Sequence, residues 1–215
     1  MKKIVVTGGA GYIGSHTAVE LAAAGYLPVV VDNFSRSDRR ILARMRELIG
    51  KEFPVHDVDC RSEHSLENAL SSETDVAGVI HFAAYKAVGE SVEDPLAYYD
   101  NNVGSLVALL RAMAAVDLDR LVFSSSCTVY GQPDQLPVTE ATPQKPAESP
   151  YGHTKQICEA ILEASVRAKR PLKAVTLRYF NPVFSDIALI PGRSAQMPRT
   201  TRSIFTPACE ATYRA

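Results

Sequence analysis

The sequence predicts an α/β protein with a doubly wound parallel sheet. Short, β-branched and almost wholly apolar runs alternate with longer amphipathic stretches, and a glycine-rich turn joins the first run to the first amphipathic stretch. Runs that are apolar on both faces are typical of strands covered by helices on both sides. Their alternation with helices implies parallel pairing through right-handed crossovers.

The predicted elements follow one another in order along the chain. Apolar runs predict strands at Ile4–Thr7, Val29–Asp32, Val76–Ala83, Leu121–Ser125 and Ala174–Arg178, with a weaker one at Pro54–Val58. Amphipathic periodicity predicts helices at Ile13–Ala24, Arg39–Ile49, Ser62–Leu70, Leu96–Ala115 and Pro150–Ala168. The proline-rich segment Gly131–Ser149 is longer than a usual connection, which favours a functional loop.

Composition and charge exclude several classes of protein. The net charge of −1 gives no bulk attraction to nucleic acid or to an anionic membrane, and no apolar run approaches the length of a membrane span or a signal peptide. The four cysteines are widely spaced, which favours a reducing compartment over a zinc site or a disulfide framework. We therefore expect a cytoplasmic protein that binds neither nucleic acid nor membrane.

Residues 7–14, TGGAGYIG, lie between the first strand and the first helix. Gly9, Gly11 and Gly14 fit the pattern G-x-G-x-x-G, in which glycine allows a tight turn, close approach to a pyrophosphate and close packing of helix on strand. The helix N-terminus offers free N–H groups and the positive end of its dipole to the anion. The motif predicts a dinucleotide cofactor.

Asp32 bears on which dinucleotide is bound. It ends the second predicted strand, where a carboxylate accepts hydrogen bonds from the adenosine ribose hydroxyls and repels a 2′-phosphate. This favours NAD over NADP, while the nearby Arg36 keeps NADP as an alternative.

The stretch SPYGHTK, residues 149–155, suggests acid–base chemistry. Tyr151 and Lys155 are four apart, so both face the same side of the predicted helix. A phenol has a reference pKa of about 10, and a neighbouring ammonium together with a positive nicotinamide would lower it. Ser124–Ser126 end a predicted strand, where ligands bind in open α/β sheets, and offer a hydroxyl between phenol and substrate. The pattern Y-x-x-x-K is common by itself and gains meaning here only from the nucleotide motif.

Other polar residues have less distinctive patterns. Asn101 and Asn102 satisfy either backbone or ligand groups near a helix start, where asparagines are usually caps. His81 lies within an apolar strand, which favours a core histidine. Lys86 follows a strand end, so a role near cofactor phosphates and a solvated lysine are equally compatible with its position. The histidines have no metal-ligand spacing, and we expect no metal site.

Six stretches together resemble the extended short-chain dehydrogenase/reductase family over about residues 3–183. They are VTGGAGYIGSHT, VDNFSRS, VIHFAAYKAVGESVEDPLAYYDNNV, FSSSCTVYG, SPYGHTK and LRYFNPV, of which the third is the most specific. The resemblance implies a Rossmann-like NAD-binding domain over residues 1–183. Within the family it points to enzymes of galactose metabolism that interconvert UDP-glucose and UDP-galactose, by reversible hydride transfer at sugar C4 through a 4-keto intermediate on bound NAD.

The resemblance also implies roles for individual residues. The cofactor-binding set is Gly8, Gly11, Tyr12, Ile13, Gly14, Asp32, Asn33, Phe34, Ser35, Arg36, Ser37, Asp59, Cys60, Phe82, Ala83, Ala84, Tyr85, Lys86, Asn101, Tyr151, Lys155 and Phe180. The catalytic set is Ser126, Tyr151 and Lys155, and the substrate contacts are Lys86, Ser126, Tyr151 and Asn181. A homodimer through the helices near 96–115 and 150–168 is implied as well, although their apolar faces are equally compatible with burial in the core.

The resemblance ends at Val183. In the family a long further region builds the substrate lobe, whereas residues 184–215 show neither helical nor strand periodicity. We expect an atypical tail in place of the substrate domain, as a truncation or frameshift would produce, and weak binding of UDP-sugar. Alternatives are a non-catalytic NAD-binding remnant and a 4-epimerase of another UDP-sugar. A 4,6-dehydratase is disfavoured, because Cys127 and Thr128 stand where its Asp-Glu pair is expected.

Overall fold

A single parallel sheet organises the chain. The computed structural model describes residues 1–168, 172–180 and 182, and within them six strands pair in the order β3-β2-β1-β4-β5-β6. The strands are β1 Lys3–Thr7, β2 Leu27–Asp32, β3 Val55–Asp57, β4 Val76–His81, β5 Arg120–Ser126 and β6 Lys173–Tyr179. Every predicted strand is therefore confirmed, the weak one included, although β4 ends before Ala83. Parallel pairing throughout and helical crossovers confirm the doubly wound fold.

Seven α-helices lie in the described part of the chain. They are α1 Tyr12–Ala23, α2 Arg40–Ile49, α3 Glu63–Ser71, α4 Val88–Glu93, α5 Pro95–Tyr98, α6 Gly104–Ala115 and α7 Pro150–Arg167. A π-helical segment, Tyr99–Val103, joins α5 to α6, so the predicted helix Leu96–Ala115 is interrupted. The short helix α4 was not predicted. A 3-10 turn, Cys127–Tyr130, follows β5.

Local sequence explains where these helices begin and end. At the start of α7, the Ser149 side chain accepts a hydrogen bond of 3.1 Å from the Gly152 N–H, and Pro150 occupies the first helical position, where its missing N–H costs nothing. Helix α2 ends at Gly50, whose φ of +73° continues the chain in the left-handed region. Capping thus fixes the start of the helix that carries Tyr151.

Each face of the sheet packs against its own group of helices. On one face, buried residues of α1 and α2 such as Ala18 and Met45 contact Val30 of β2. On the other, Leu66, Leu109 and Leu162 belong to one cluster that joins α3, α6 and α7 to the sheet. Two apolar layers are what a sheet buried on both faces requires.

The loops that leave the carboxyl ends of the strands share one edge of the sheet. The order reverses between β1 and β4, which places the switch point of the fold beside β1. The Gly8 N–H donates to the Val31 carbonyl at 2.8 Å, and the Phe82 N–H donates to the Thr7 carbonyl at 3.0 Å. The loops after β1, β2 and β4 are thereby held together.

No helix of the described residues has the length and apolarity needed to cross a membrane.

Candidate functional site

A cleft opens at the carboxyl edge of the sheet, between the loops that follow β1, β2, β3 and β4. Its lining residues are Gly8, Gly11, Asp32, Asn33, Ser35, Arg36, Ser37, Val58, Asp59, Cys60, Phe82, Ala83, Ala84, Tyr85, Asn101 and Ser105. All but Val58 and Ser105 belong to the set that the sequence predicted to bind a cofactor. Val58 and Ser105 lie on apolar or small-residue faces and carry no motif that sequence reasoning recognises.

The glycine-rich turn is packed at backbone distance from its neighbours. Gly8 has a φ of +66°, and a Cβ there would lie 2.7 Å from the Ala83 nitrogen. A Cβ on Gly14 would lie 2.2 Å from the Gly8 carbonyl oxygen. Gly11 is the N-cap of α1, and no side chain of the described residues caps its first turn. A helix start without a side-chain cap is typical of a site that binds an anion through backbone N–H groups.

Asp32 connects the glycine-rich turn to the loop after β2. Its Oδ2 accepts a hydrogen bond of 3.0 Å from the Ala10 N–H, and its Oδ1 accepts hydrogen bonds of 2.9 Å from the Phe34 N–H and the Ser37 hydroxyl. A carboxylate has about four acceptor positions, so these three donors leave room for one hydroxyl. A glycine cradle, an uncapped helix start and this carboxylate together fit an adenine dinucleotide.

Arg61 crosses the far end of the cleft. It donates to Asp59 at 2.8 Å from Nη2 and to Asp100 at 2.6 Å from Nη1, which joins the loop after β3 to the π-helical segment. The hydrogen bond from Arg61 holds the pKa of Asp59 below its usual value. Burial raises the pKa of the neighbouring Cys60 thiol to about 12. The thiol therefore stays protonated and unreactive, and Cys60 only lines the cleft.

Several predicted cofactor residues do not line this cleft. Tyr12 is exposed at the start of α1, and Lys86 is exposed on the loop after β4. Phe34 packs against the core between the sheet and α2, with the Arg39 guanidinium 4.0 Å from its ring centre. Phe180 is 59% exposed and stacks on Tyr130 with ring centres 6.2 Å apart. Ile13 and Gly14 lie in the first turn of α1, behind the lining, and Asn181 lies outside the described residues.

The three predicted catalytic residues meet at the end of β5, next to the cleft rather than in its lining. Ser126 is the last residue of β5, and its Oγ accepts hydrogen bonds from the Thr128 N–H at 3.2 Å and the Thr128 hydroxyl at 3.0 Å. With two donors to its oxygen, Ser126 keeps its own O–H to give, and it is close enough to the Tyr151 phenol to act on the pKa of that phenol. Lys155 donates from Nζ to the Ser124 carbonyl at 2.8 Å.

Burial governs the protonation of Tyr151 and Lys155. Burial is the largest cause that raises the pKa of the Tyr151 phenol, and the hydrogen bond with Ser126 partly opposes it. Lys155 is not among the described groups that shift this pKa, and the expectation that its ammonium lowers the phenol pKa together with a bound nicotinamide stays a prediction. Lys155 is itself buried, with its Nζ turned to the strand end and 4.9 Å from the Phe123 ring centre.

Groups one turn further along α7 partly offset the cost of burying the Lys155 ammonium. Burial lowers the pKa of Lys155, and the nearby Cys158 and Glu159 act in the opposite direction. Glu159 is buried and accepts hydrogen bonds from Arg178 at 2.7 Å, Ser125 at 2.5 Å and Gln144 at 2.6 Å. This network joins α7 to β5, to β6 and to the long loop after residue 131. Sequence reasoning missed it, because its members are far apart in the chain.

Comparison with known proteins identifies the family of this chain. The model of the NAD dependent epimerase/dehydratase family matches residues 4–187. The chain belongs to that family. It is 49% identical over 183 residues to a UDP-glucose 4-epimerase of Cyamopsis tetragonoloba, in a match that covers 84% of this chain and 52% of the relative.

Solved structures of epimerases match over the same part of this family member. UDP-glucose 4-epimerase of Bifidobacterium longum, in complex with NAD+ and UDP, superposes with a TM-score of 0.82 at 43% identity, covering 85% of this chain and 54% of that one. The UDP-Glc/GlcNAc 4-epimerase of Campylobacter jejuni gives a TM-score of 0.78 at 30% identity, covering 84% and 54%. The chain thus spans about half the length of the relatives that it matches.

Asn102 is a further residue of this epimerase-family site, for which the sequence left open a contact with backbone or ligand groups and a role as a helix cap. Asn102 lies within the π-helical segment, where its Oδ1 accepts from the Tyr85 N–H at 2.7 Å and its Nδ2 donates to the Tyr85 carbonyl at 2.9 Å. The same Nδ2 lies 3.1 Å from the Thr154 hydroxyl, which donates to the Tyr151 carbonyl at 2.7 Å. Asn102 therefore links the cleft loop after β4 to the helix that carries Tyr151. Of the two roles that the sequence left open, the structure shows the contact with backbone groups, because the π-helical segment turns the Asn102 amide toward that loop.

Proposed function

We propose that this chain carries the cofactor half and the acid–base residues of a UDP-sugar 4-epimerase that interconverts UDP-glucose and UDP-galactose. The observation that carries the proposal is that the Tyr151 phenol lies close enough to Ser126 to feel its hydroxyl, at the strand edge beside a cleft lined by the glycine-rich turn and Asp32. A hydroxyl pair at that position suits proton transfer to and from a sugar hydroxyl.

The cleft would hold NAD. The glycine turn and the start of α1 would bind the pyrophosphate, Asp32 the adenosine ribose, and Asp59 with Cys60 the adenine surroundings. Phe82–Tyr85 and Asn101 would line the way toward the nicotinamide. NAD, when bound, supplies an acceptor that takes the C4 hydrogen with its electron pair and later gives it back.

Tyr151 would carry the proton in each direction. As the C4 hydrogen leaves with its electron pair, Tyr151 in its phenolate form would take the proton of the sugar 4-hydroxyl, which leaves a 4-keto sugar and a neutral phenol. Ser126 would donate its free O–H to the oxygens involved and keep them in line. When the hydrogen returns to the opposite face of the keto sugar, the neutral Tyr151 phenol would give the proton back to O4 and become the phenolate again.

Lys155 would act through position and charge. Its hydrogen bond to the Ser124 carbonyl fixes the side chain at the end of β5, and Glu159 favours its cationic form. A fixed cation beside the substrate end of the cleft would hold a nicotinamide ribose hydroxyl and stabilise negative charge as the proton moves.

The proposal is tested by adding UDP-glucose to the full chain saturated with NAD. We expect the absorbance and fluorescence of reduced nicotinamide to appear, and UDP-galactose to form in a coupled assay. Binding of NAD without reduction would contradict the proposal and favour a non-catalytic NAD-binding remnant. Reduction by UDP-N-acetylglucosamine or a UDP-pentose, but not by UDP-glucose, would favour a 4-epimerase of another UDP-sugar. The similarity to the Campylobacter jejuni enzyme is the reason for including the first of these sugars.

We also propose that the chain pairs with a second copy of itself. Apolar side chains on α4 and α5 are exposed, with Val92 63% and Leu96 76% exposed, and both helices pack beside α7. Isolated apolar side chains are ordinary on a surface, but a neighbouring group of them is typical of an interface.

A further inference from the structure

Four side chains form a closed ring at the mouth of the cleft. We call Arg36, Tyr85, Glu90 and Tyr98 the mouth ring. Arg36 belongs to the loop after β2, Tyr85 to the loop after β4, Glu90 to α4 and Tyr98 to the end of α5. Arg36 is distant in sequence from the other three members, so the ring forms only when the chain folds, and no sequence motif predicts it.

Each member of the mouth ring contacts the next. The Arg36 guanidinium lies over the Tyr85 ring, 4.6 Å from its centre, and the rings of Tyr85 and Tyr98 meet edge to face at 5.6 Å. Tyr98 donates its hydroxyl proton to Glu90 Oε2 at 2.8 Å, and Glu90 Oε1 accepts a hydrogen bond from Arg36 Nη2. Both oxygens of Glu90 and one face of the guanidinium are therefore engaged.

Arg36 lies where a cofactor phosphate would need it. It lines the cleft together with Asp32 and Ser37, at the end that would receive the adenosine ribose. A guanidinium near that ribose is the group that binds the 2′-phosphate of NADP. Sequence alone left the choice between NAD and NADP open for this reason.

Glu90 changes what Arg36 can do. Its carboxylate neutralises the guanidinium and turns it toward α4, and the aromatic stack with Tyr85 fixes the same orientation. A 2′-phosphate would have to displace Glu90 from Arg36 and would meet two carboxylates, Glu90 and Asp32, near the same ribose. An unmodified ribose hydroxyl requires neither change.

We propose that Glu90 is a specificity-determining residue, which makes the cleft selective for NAD over NADP by occupying Arg36. The inference rests on the proposed function, because it concerns the same dinucleotide site. It assigns the selectivity to a residue of α4, outside the glycine-rich turn and outside the loop that holds Asp32. Tyr98, which is 1% exposed, anchors Glu90 from the opposite side.

The test is calorimetric titration of the full chain with NAD and with NADP. Glu90→Gln keeps the size and the hydrogen bond to Tyr98 and removes the charge, so Arg36 becomes free. We expect the Kd for NADP to fall at least about tenfold, the value of one charge-assisted contact to phosphate. The Kd for NAD should stay within about threefold, because an exposed ion pair contributes little by itself.

Two further variants distinguish two causes of a gain in NADP affinity. One cause is the release of Arg36, and the other is the loss of repulsion between Glu90 and the 2′-phosphate. In the double variant Glu90→Gln/Arg36→Gln the gain in NADP affinity should disappear. Arg36→Gln alone should leave the Kd for NADP within about threefold of the unchanged chain, since Arg36 is already occupied. Glu93→Gln is the matched control, because Glu93 is exposed on the same helix, and it should change neither constant. Circular dichroism confirms that each variant is folded.

The outcomes distinguish this inference from the proposed function. NAD binding by the unchanged chain, with no gain for NADP in Glu90→Gln, would overturn the inference and leave the proposed function standing. A gain that persists in the double variant, or a tenfold loss of NADP affinity in Arg36→Gln alone, would likewise overturn it. If the unchanged chain binds neither dinucleotide, both proposals are wrong.

Discussion

At the scale of single residues, burial sets the protonation of the groups beside the cleft. Tyr151 is half-buried, and burial raises the pKa of its phenol. His81 ends β4 fully buried, and burial lowers the pKa of its imidazole to about 3, with the cation of Lys155 adding to the effect. Both groups are neutral at neutral pH. The Tyr151 phenol therefore needs positive charge in the cleft in order to ionise, because only the phenolate can accept a proton.

Replacement of Tyr151 by Phe should remove proton transfer without disturbing the cleft. We expect the rate of nicotinamide reduction by UDP-glucose to fall about 10²- to 10⁴-fold, the usual contribution of a general base. The Kd for NAD, measured by calorimetry, should change little, because Tyr151 lies outside the cleft lining. Tyr26→Phe, which removes a phenol that is 37% exposed, is the control. Equal losses in both variants would contradict the role of Tyr151.

His81 should make the protein sensitive to acid. The unfolded imidazole titrates near 6.5 and the folded one near 3, so between these values the unfolded state binds more protons. The contribution of neutral His81 to the free energy of unfolding is complete above about pH 6.5. It decreases by about 1.4 kcal/mol per pH unit as the pH falls toward 3.

Urea unfolding at several pH values measures this slope. The Thr7 hydroxyl lies 2.7 Å from His81 Nδ1, and His81→Asn keeps a polar partner for it. In this variant the slope of unfolding free energy against pH, between about pH 3 and 6.5, should decrease by about 1.4 kcal/mol per pH unit. The comparison uses slopes, so a loss of absolute stability does not affect it. An unchanged slope would show that the buried imidazole does not titrate as expected.

At the scale of elements, the π-helical segment Tyr99–Val103 connects the two halves of the site. Its extra residue per turn directs Asn102 toward the loop after β4, while Asn101 faces the cleft. Asn102 is 2% exposed and satisfies both backbone groups of Tyr85. Because Tyr85 also belongs to the mouth ring, the same loop contacts cofactor space, Arg36 and the helix of Tyr151.

Asn102→Ala should loosen this loop. It leaves a partly buried N–H and a partly buried carbonyl of Tyr85 unpaired, at a cost of about 1–3 kcal/mol in the free energy of unfolding. We also expect the Kd for NAD to rise, because the loop of Phe82–Tyr85 loses its support. Asn68→Ala, at an exposed asparagine on α3, should change neither quantity. Full retention of NAD affinity in Asn102→Ala would refute the link between segment and cleft.

The regular elements were predictable and the exceptions have physical reasons. Apolar runs identified all six strands of the described residues, since burial on both faces leaves that pattern. The π-helical segment was not predictable, because periodicity cannot register one added residue inside a long helix. Helix α4 was missed because it is short, its N-cap Ala87 forms no side-chain hydrogen bond with the described residues, and few of its residues are buried.

The residues of the site also divide into those that the sequence predicted and those that it did not. Gly8, Asp32, Ser126 and Tyr151 lie at turns or strand ends with recognisable spacing, so their positions followed from the sequence. The mouth ring and the network around Glu159 depend on contacts between distant segments, such as Arg36 with Glu90 and Arg178 with Glu159. One sequence contains no signal for such pairs.

At the scale of the whole molecule, the described domain has its own two-layered core and leaves some large apolar side chains exposed. Val88, Val92 and Leu96 are exposed on adjacent turns of α4 and α5, next to α7. Leu136 is 80% exposed but lies alone on the long loop. The group on α4 and α5 is therefore the better candidate for contact with a second copy.

Sedimentation velocity of the full chain should detect a dimer, and Leu96→Glu should convert it to monomer. A charge placed in an apolar contact costs several kcal/mol, enough to dissociate a moderate interface. Leu136→Glu is the matched control and should leave the dimer intact. A monomer in the unchanged chain, or equal effects of the two variants, would contradict pairing through α4 and α5.

The most direct measurement of the central claim is the ionisation of Tyr151 with and without NAD. Tyrosinate absorbance, taken as the difference between the unchanged chain and Tyr151→Phe, isolates this phenol from the other tyrosines. Without NAD the phenol should titrate above its ordinary pKa because it is buried. Saturating NAD should lower that pKa, because the positive nicotinamide would lie beside the phenol. An identical pKa in both titrations, with NAD binding established by calorimetry, would contradict the account.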